Sequence, residues 1–184
     1  PDTNIWKLNI WQTKGWRRNV NAPEYYEQKP AGPWHFRQLF VDGKRVTRSR
    51  YPNADDQNPF MYAEGGSMEH VQLKVGLVKS NWGDEPDAQL NMIPNWRFFN
   101  QWNDVIKVDE NSSSIYFGPR EQHGKVIKGN WFWIEGVKSE LDQPGEWYLD
   151  PEEGFLYYIA AQGQDRNKLK FIAPKLNRLI YLRG

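Results

Sequence analysis

Cysteine is absent from the 184-residue chain, which excludes disulfides, thiolate catalysis and Cys-type zinc sites. Charge of one sign is equally short. The 24 Lys and Arg against 23 Asp and Glu leave a formal net charge of +1. A protein that neutralises several phosphates needs a concentrated basic surface, and this balance does not supply one. The lone basic stretch, Lys44-Arg45-Val46-Thr47-Arg48-Ser49-Arg50, places its charges on both faces of any strand. It reads as a solvated edge rather than a nucleic-acid groove. No apolar run approaches the roughly 18–20 residues of a membrane span. Neither nucleic acid nor membrane is therefore expected as a partner. The chain opens Pro1-Asp2-Thr3, with neither an initiator Met nor a signal-peptide pattern, which reads as a segment of a longer protein. Its length suits one domain with a substantial core.

Aromatic residues are what the chain has in excess. Ten Trp, nine Tyr and nine Phe make up 15% of it. Trp is bulky and carries an N–H that needs a partner when buried, so an excess of indole implies that some rings are displayed. Flat rings on a nearly neutral protein rich in Asn and Gln suit poly- or oligosaccharides, whose C–H faces pack on aromatic faces.

Period-two alternation dominates the pattern. In Ile5-Trp6-Lys7-Leu8-Asn9-Ile10-Trp11 the residues Trp6, Leu8 and Ile10 share one face. Phe36 to Val41 and Lys44 to Val46 flank Asp42-Gly43, a dipeptide that supplies the positive φ of a type I′ hairpin turn. Val71 to Val78 is expected to be a strand with Val71, Leu73, Val75 and Leu77 on one face, and Ala88 to Ile93 another. Val105 to Val108 and Ser114 to Phe117 flank the polar turn Asp109-Glu110-Asn111-Ser112-Ser113. Trp131 to Glu135 is a short strand. Glu146 to Asp150 and Phe155 to Ile159 form a third hairpin around Pro151-Glu152-Glu153-Gly154, and Leu169 to Ile172 and Leu179 to Leu182 finish the chain. About ten short antiparallel strands with turns between them indicate an all-β fold, a jelly-roll-like β-sandwich, with little helix. The best helical candidate is Asn95 to Trp102, short and preceded by Pro94.

The loops of these hairpins carry an order that resembles a known family. The segments are Arg37-Gln38-Leu39-Phe40-Val41-Asp42-Gly43-Lys44-Arg45, Arg48-Ser49-Arg50-Tyr51-Pro52-Asn53, Asn130-Trp131-Phe132-Trp133-Ile134-Glu135 and Leu141-Asp142-Gln143-Pro144-Gly145-Glu146-Trp147-Tyr148-Leu149-Asp150. Gly154-Phe155-Leu156-Tyr157-Tyr158 and Leu179-Ile180-Tyr181-Leu182-Arg183-Gly184 follow. Together they resemble the accessory β-sandwich inserted near the start of right-handed parallel β-helix glycoside hydrolases, a group with β-xylosidases, α-galactosidases and α-fucosidases. The resemblance implies a sandwich over residues 1–176 and, over 177–184, the first strand of a following β-helix coil. It also implies a parent β-helix catalytic domain as partner and a secreted or periplasmic bacterial location. The catalytic carboxylates would lie in that helix, so none is assigned here.

The chain's own carboxylates fit that view. Glycosidases set two carboxyls about 5–5.5 Å apart for retention or about 6.5–9.5 Å for inversion. The pairs on offer are Glu140 with Asp142, Asp55 with Asp56, and Glu146 with Asp150. Charged loop residues are ordinarily solvated, and Asp before a turn ordinarily bonds local backbone, so no pair is given a catalytic role. His35, His70 and His123 lack metal-ligand spacing. Asp55, Asp56 and Asp109 offer hard oxygen ligands for a structural calcium, without an EF-hand pattern; no other cofactor is expected. No Ser-His-Asp order, phosphate loop or dinucleotide fingerprint occurs.

The aromatics divide by face. Trp6 and Trp147 alternate with apolar partners and are assigned to the core. Trp131 and Trp133 share a face opposite Phe132 and Ile134; if the latter pair points inward, the two indoles form a stacking platform. Trp16, Trp34, Trp82, Trp96 and Trp102 fall in loop-like stretches and join the expected sugar contacts. Arg50 and Tyr51 could add a guanidinium and a ring for a sugar acid or sulfate. The competing expectation for Trp131 and Trp133 is packing against the parent β-helix or a covering loop, and for the loop tryptophans it is plugging the ends of the sandwich.

Overall fold

The structure, a computed structural model, describes residues 4–10, 36–93, 100–118 and 124–174. Two compact units emerge, one of Pro1–Arg48 with Gln143–Gly184 and one of Ser49–Asp142. Each contains one sheet and one apolar cluster. The described residues contain no α-helix, only 3-10 turns at Ser80–Asp84 and Lys138–Glu140. The all-β, sandwich-like class read from the alternation holds. Of the helical candidate, residues 95–99 lie outside the described residues, and Trp102 belongs to a strand. The strand expected at Leu179 to Leu182, and with it the boundary at 177, also falls outside them.

The first unit's sheet comprises β1 (Ile5–Asn9), β2 (Leu39–Val41), β3 (Lys44–Arg48), β12 (Glu146–Asp150), β13 (Phe155–Ile159) and β14 (Phe171–Ile172), in the order β1-β13-β12-β3-β2-β14. Asp42 and Gly43 take φ of 49° and 78°, the left-handed pair of a type I′ turn, and join β2 to β3. Cross-strand register puts Trp6, Tyr158 and Trp147 in one row and Leu8, Leu156 and Leu149 in the next. All six pack in or against one cluster with Phe36, Leu39 and Val41. Burying each such side chain is worth roughly 1.5–3 kcal/mol. Trp147 is 0% exposed, stacks on Phe36 at 5.4 Å and donates its indole N–H to the Val46 carbonyl. Trp6 packs against the same cluster. Both core assignments hold.

The basic stretch corrects an expectation. β3 is no edge: it pairs antiparallel with β2 and parallel with β12. Lys44 and Arg45 are exposed, but Arg48 is buried, its guanidinium carbon 6.0 Å from the Trp147 ring centroid. The parallel pairing, which alternation cannot reveal, carries the second half of the stretch inward.

The second unit's sheet comprises β4 (Arg50–Tyr51), β5 (Met61–Tyr62), β6 (Gly65–Gly66), β7 (His70–Gln72), β8 (Gln89–Ile93), β9 (Gln101–Asp109), β10 (Ser114–Phe117) and β11 (Trp131–Glu135). Its order is β4-β11-β8-β9-β10-β7-β6, with β5 also on β11. Leu90, Met92, Phe132, Ile134, Ile115, Phe117 and Trp82 lie in its core. Two details depart from simple alternation. The strand expected over Val71 to Val78 ends at Gln72; Leu77 N–H bonds the Lys74 carbonyl, Gly76 takes φ of 85°, and Val75 is 86% exposed. A glycine that enters the left-handed region without steric cost makes the turn win. On β9 a bulge against β10 lets both Val105 and Val108 pack on the core, while Ile106 turns out to solvent.

Candidate functional site

On β11, Phe132 and Ile134 are wholly buried and Trp131 and Trp133 are partly buried. The condition for an indole pair on the face away from the core is therefore met. Opposed residues in an antiparallel pair share a face, and the registers extend this face over five strands. Tyr62, Trp131 and Ile93 form one row, and Trp133, Asn91 and Trp102 the next. Arg50, Glu135, Gln89 and Asp104 make a third, polar row. Strand spacing of about 4.8 Å sets the distance between neighbours in a row.

Local contacts fix these side chains. Phe60 meets Trp131 edge-on at 4.9 Å and lies tilted to Trp133 at 5.9 Å. The Arg50 guanidinium carbon sits 4.5 Å from the Trp133 ring centroid, within cation–π range. Arg50 Nε donates to the Pro52 carbonyl at 2.8 Å and its NH2 group to the Pro59 carbonyl at 2.5 Å. Trp133 Nε1 donates to Glu135 at 3.0 Å, and Gln89 Nε2 to Asp104 at 2.6 Å. Tyr62, 48% exposed, donates its hydroxyl to Asn58. Asn91 is 0% exposed, and neither its amide nitrogen nor its amide oxygen meets a hydrogen-bond partner.

Trp102, Trp131, Trp133 and Arg50 thus share one face. Tyr51 does not: it pairs with Ile134 on the core side, 5.5 Å from Trp82 and beneath Lys79. Arg50 and Tyr51 cannot offer a guanidinium and a ring to the same sugar. Trp82 is not a displayed ring either. It is 0% exposed, and its Nε1 donates to Glu140 at 2.8 Å. The 3-10 turn Ser80–Asp84 rolls this indole inward. Trp16, Trp34 and Trp96 lie outside the described residues, as do His35 and His123. Tyr62, Phe60, Gln89, Asn91, Asp104 and Glu135 join the face without having been singled out from the sequence. For Gln89 and Asn91 the signal was there: they alternate with Leu90 and Met92.

Five of the six carboxylates in the candidate pairs have hydrogen-bond partners of their own, and Asp55 is exposed. Glu140 is buried, not solvated as expected; both its oxygens accept from Lys79 Nζ at 2.8 Å. Asp142 accepts from Asn53 Nδ2, and Asp56 from the Asn53 N–H. Glu146, also buried against expectation, accepts the Gln143 N–H, and Asp150 accepts those of Glu152 and Glu153.

Among the described residues no three His, Asp or Glu gather closely enough to hold a metal. Asp109 accepts the Ser112 and Asn111 N–H groups. Hydrogen bonds from Ser112, then Asn111, and the charge of Lys107 hold its carboxyl below the usual carboxylate range. A lowered folded value means its stabilising contribution is complete above the ordinary value and fades as pH falls through the lowered one. Asp109→Asn is therefore expected to show a shallower loss of urea midpoint on acidification below about pH 4 than the parent chain.

No protein-family model matches the chain, and no curated protein does. A solved structure described as a glycoside hydrolase superposes on 97% of it with a TM-score of 0.67, at 18% sequence identity. The chain covers 30% of that protein's length. The likeness is one of fold.

Proposed function

We propose that this chain is a non-catalytic, carbohydrate-contacting module of a larger glycoside hydrolase. The observation that carries this reading is the face of β11, β8 and β9, where indoles lie beside a row of carboxylates and amides. Aromatic rings accept the C–H faces of a pyranose, and the polar row accepts its hydroxyls. A fold shared with part of a glycoside hydrolase supports the accessory role. In this reading the catalytic carboxylates belong to a parallel β-helix elsewhere in the parent, which is secreted or periplasmic.

Native gel affinity electrophoresis of the chain through a panel of soluble glycans tests it. Retardation by at least one glycan is expected, and mobility unchanged on all of them contradicts it. A second reading, a structural insert that packs on the parent β-helix and shapes its active-site wall, draws on Gln89 and Asn91. Both point away from the core, yet both are 0% exposed. It predicts self-association of the isolated chain through apolar surface, which analytical ultracentrifugation would detect.

A further inference from the structure

We propose that the face of β8, β9 and β11 is a site for a neutral sugar, read by the amide of Asn91 between Trp133 and Trp102. This rests on the carbohydrate-contacting role above and names its ligand class and its reader.

Asn91 is wholly buried with both amide atoms unpartnered. An unmade hydrogen bond in such a place costs the fold, whereas an apolar group of similar shape would not. A residue held against stability marks a functional position. Its cross-strand neighbours are both indoles, and both are partly buried. In this proposal a rotamer change in either indole admits a pyranose to the amide. A carboxamide offers one donor group and one acceptor, which complements a pair of adjacent hydroxyls.

Charge selects against acidic sugars. Arg50 at this face is held by the Pro52 and Pro59 carbonyls and lies over Trp133. Glu135 and Asp104 bring two negative charges against its one positive, so 1 − 2 leaves the polar row at −1. Among the described residues of this row, a uronate or sulfate stacked on the indoles would meet two carboxylates and one cation already held by two carbonyls.

The test uses Asn91→Leu together with Asn91→Val, so that loss of the amide is separated from change of shape. At least one is expected to raise the thermal midpoint by about 4 °C or more. Both are expected to weaken retardation by a neutral galactan, xylan or mannan about tenfold or more. In the parent chain the Asn91 side-chain amide resonance is expected to shift when the retarding neutral oligosaccharide is added. Lower midpoints in both variants overturn the proposal, because the amide then has a partner. So does unchanged retardation in either variant, or an amide resonance that does not move. Stronger retardation by polygalacturonate or a sulfated glycan than by neutral ones overturns the ligand class but leaves sugar binding standing. No retardation of the parent chain by any glycan removes the carbohydrate reading and this site with it.

Discussion

Trp82→Ala is expected to cost the second unit about 3–5 kcal/mol, the range for truncating a sealed aromatic. The ring is 0% exposed and lies within the cluster that holds Leu90, Phe132 and Ile134. Two effects add. The cavity forfeits packing on several neighbours, including Tyr51 at 5.5 Å, and the buried Glu140 carboxylate loses its indole donor. Trp82→Phe separates them: it keeps most of the ring volume and deletes the N–H, so a loss of about 1.5–3 kcal/mol is expected for a hydrogen bond to a charged group. Lys79, which holds both Glu140 oxygens, limits that loss. Urea unfolding followed by near-ultraviolet circular dichroism reads both variants. A change below about 0.5 kcal/mol in Trp82→Ala, the ordinary range for surface substitutions, would return Trp82 to the displayed rings.

Trp147→Ala is expected to be comparably severe in the first unit, again about 3–5 kcal/mol. Its indole closes the row Trp6, Tyr158, Trp147, stacks on Phe36 and ties β12 to β3 through the Val46 carbonyl. Truncation also removes the ring over which Arg48 sits. A fall in the thermal midpoint of more than about 10 °C is expected by calorimetry. Tyr157→Ala serves as the contrast, since Tyr157 points away from that cluster and is only partly buried. Equal midpoints for the two variants would show that the core has been placed on the wrong face of β12 and β13.

Much of this arrangement was legible in the residues because local chemistry dictated it. Asp42-Gly43 specified a left-handed turn, and Trp131-Phe132-Trp133-Ile134 told which residues share a face. Trp6 and Trp147 declared themselves by alternation with leucines. What stayed hidden depends on register and long-range pairing, which period two does not fix. Arg48 turned inward because β3 meets β12 in parallel, and Tyr51 and Arg50 parted because β4 joins β11. Trp82 read as a loop ring, but a 3-10 turn buried it on Glu140. Val75 read as a strand residue on the face of Val71 and Leu73 until Gly76 made a turn of its neighbours. The face itself was half visible. Its indoles stood out by composition and Gln89 and Asn91 by alternation with Leu90 and Met92, whereas Asp104 joins them only when β9 is laid beside β8.

Excess indole also finds its limit here. Of the six described tryptophans, Trp82 and Trp147 are sealed, while Trp6, Trp102, Trp131 and Trp133 keep part of their surface. Three of those four share the one face that also carries Arg50, Glu135 and Asp104.

Isothermal titration with an oligosaccharide from whichever glycan retards the chain decides most directly whether that face binds sugar. The double variant Trp131→Ala, Trp133→Ala is expected to lose at least about a hundredfold in affinity, as removal of two stacked bases' worth of aromatic surface does elsewhere, while Tyr157→Ala on the other unit binds as the parent does. Unchanged affinity in the double variant, or equal loss in Tyr157→Ala, would contradict the account.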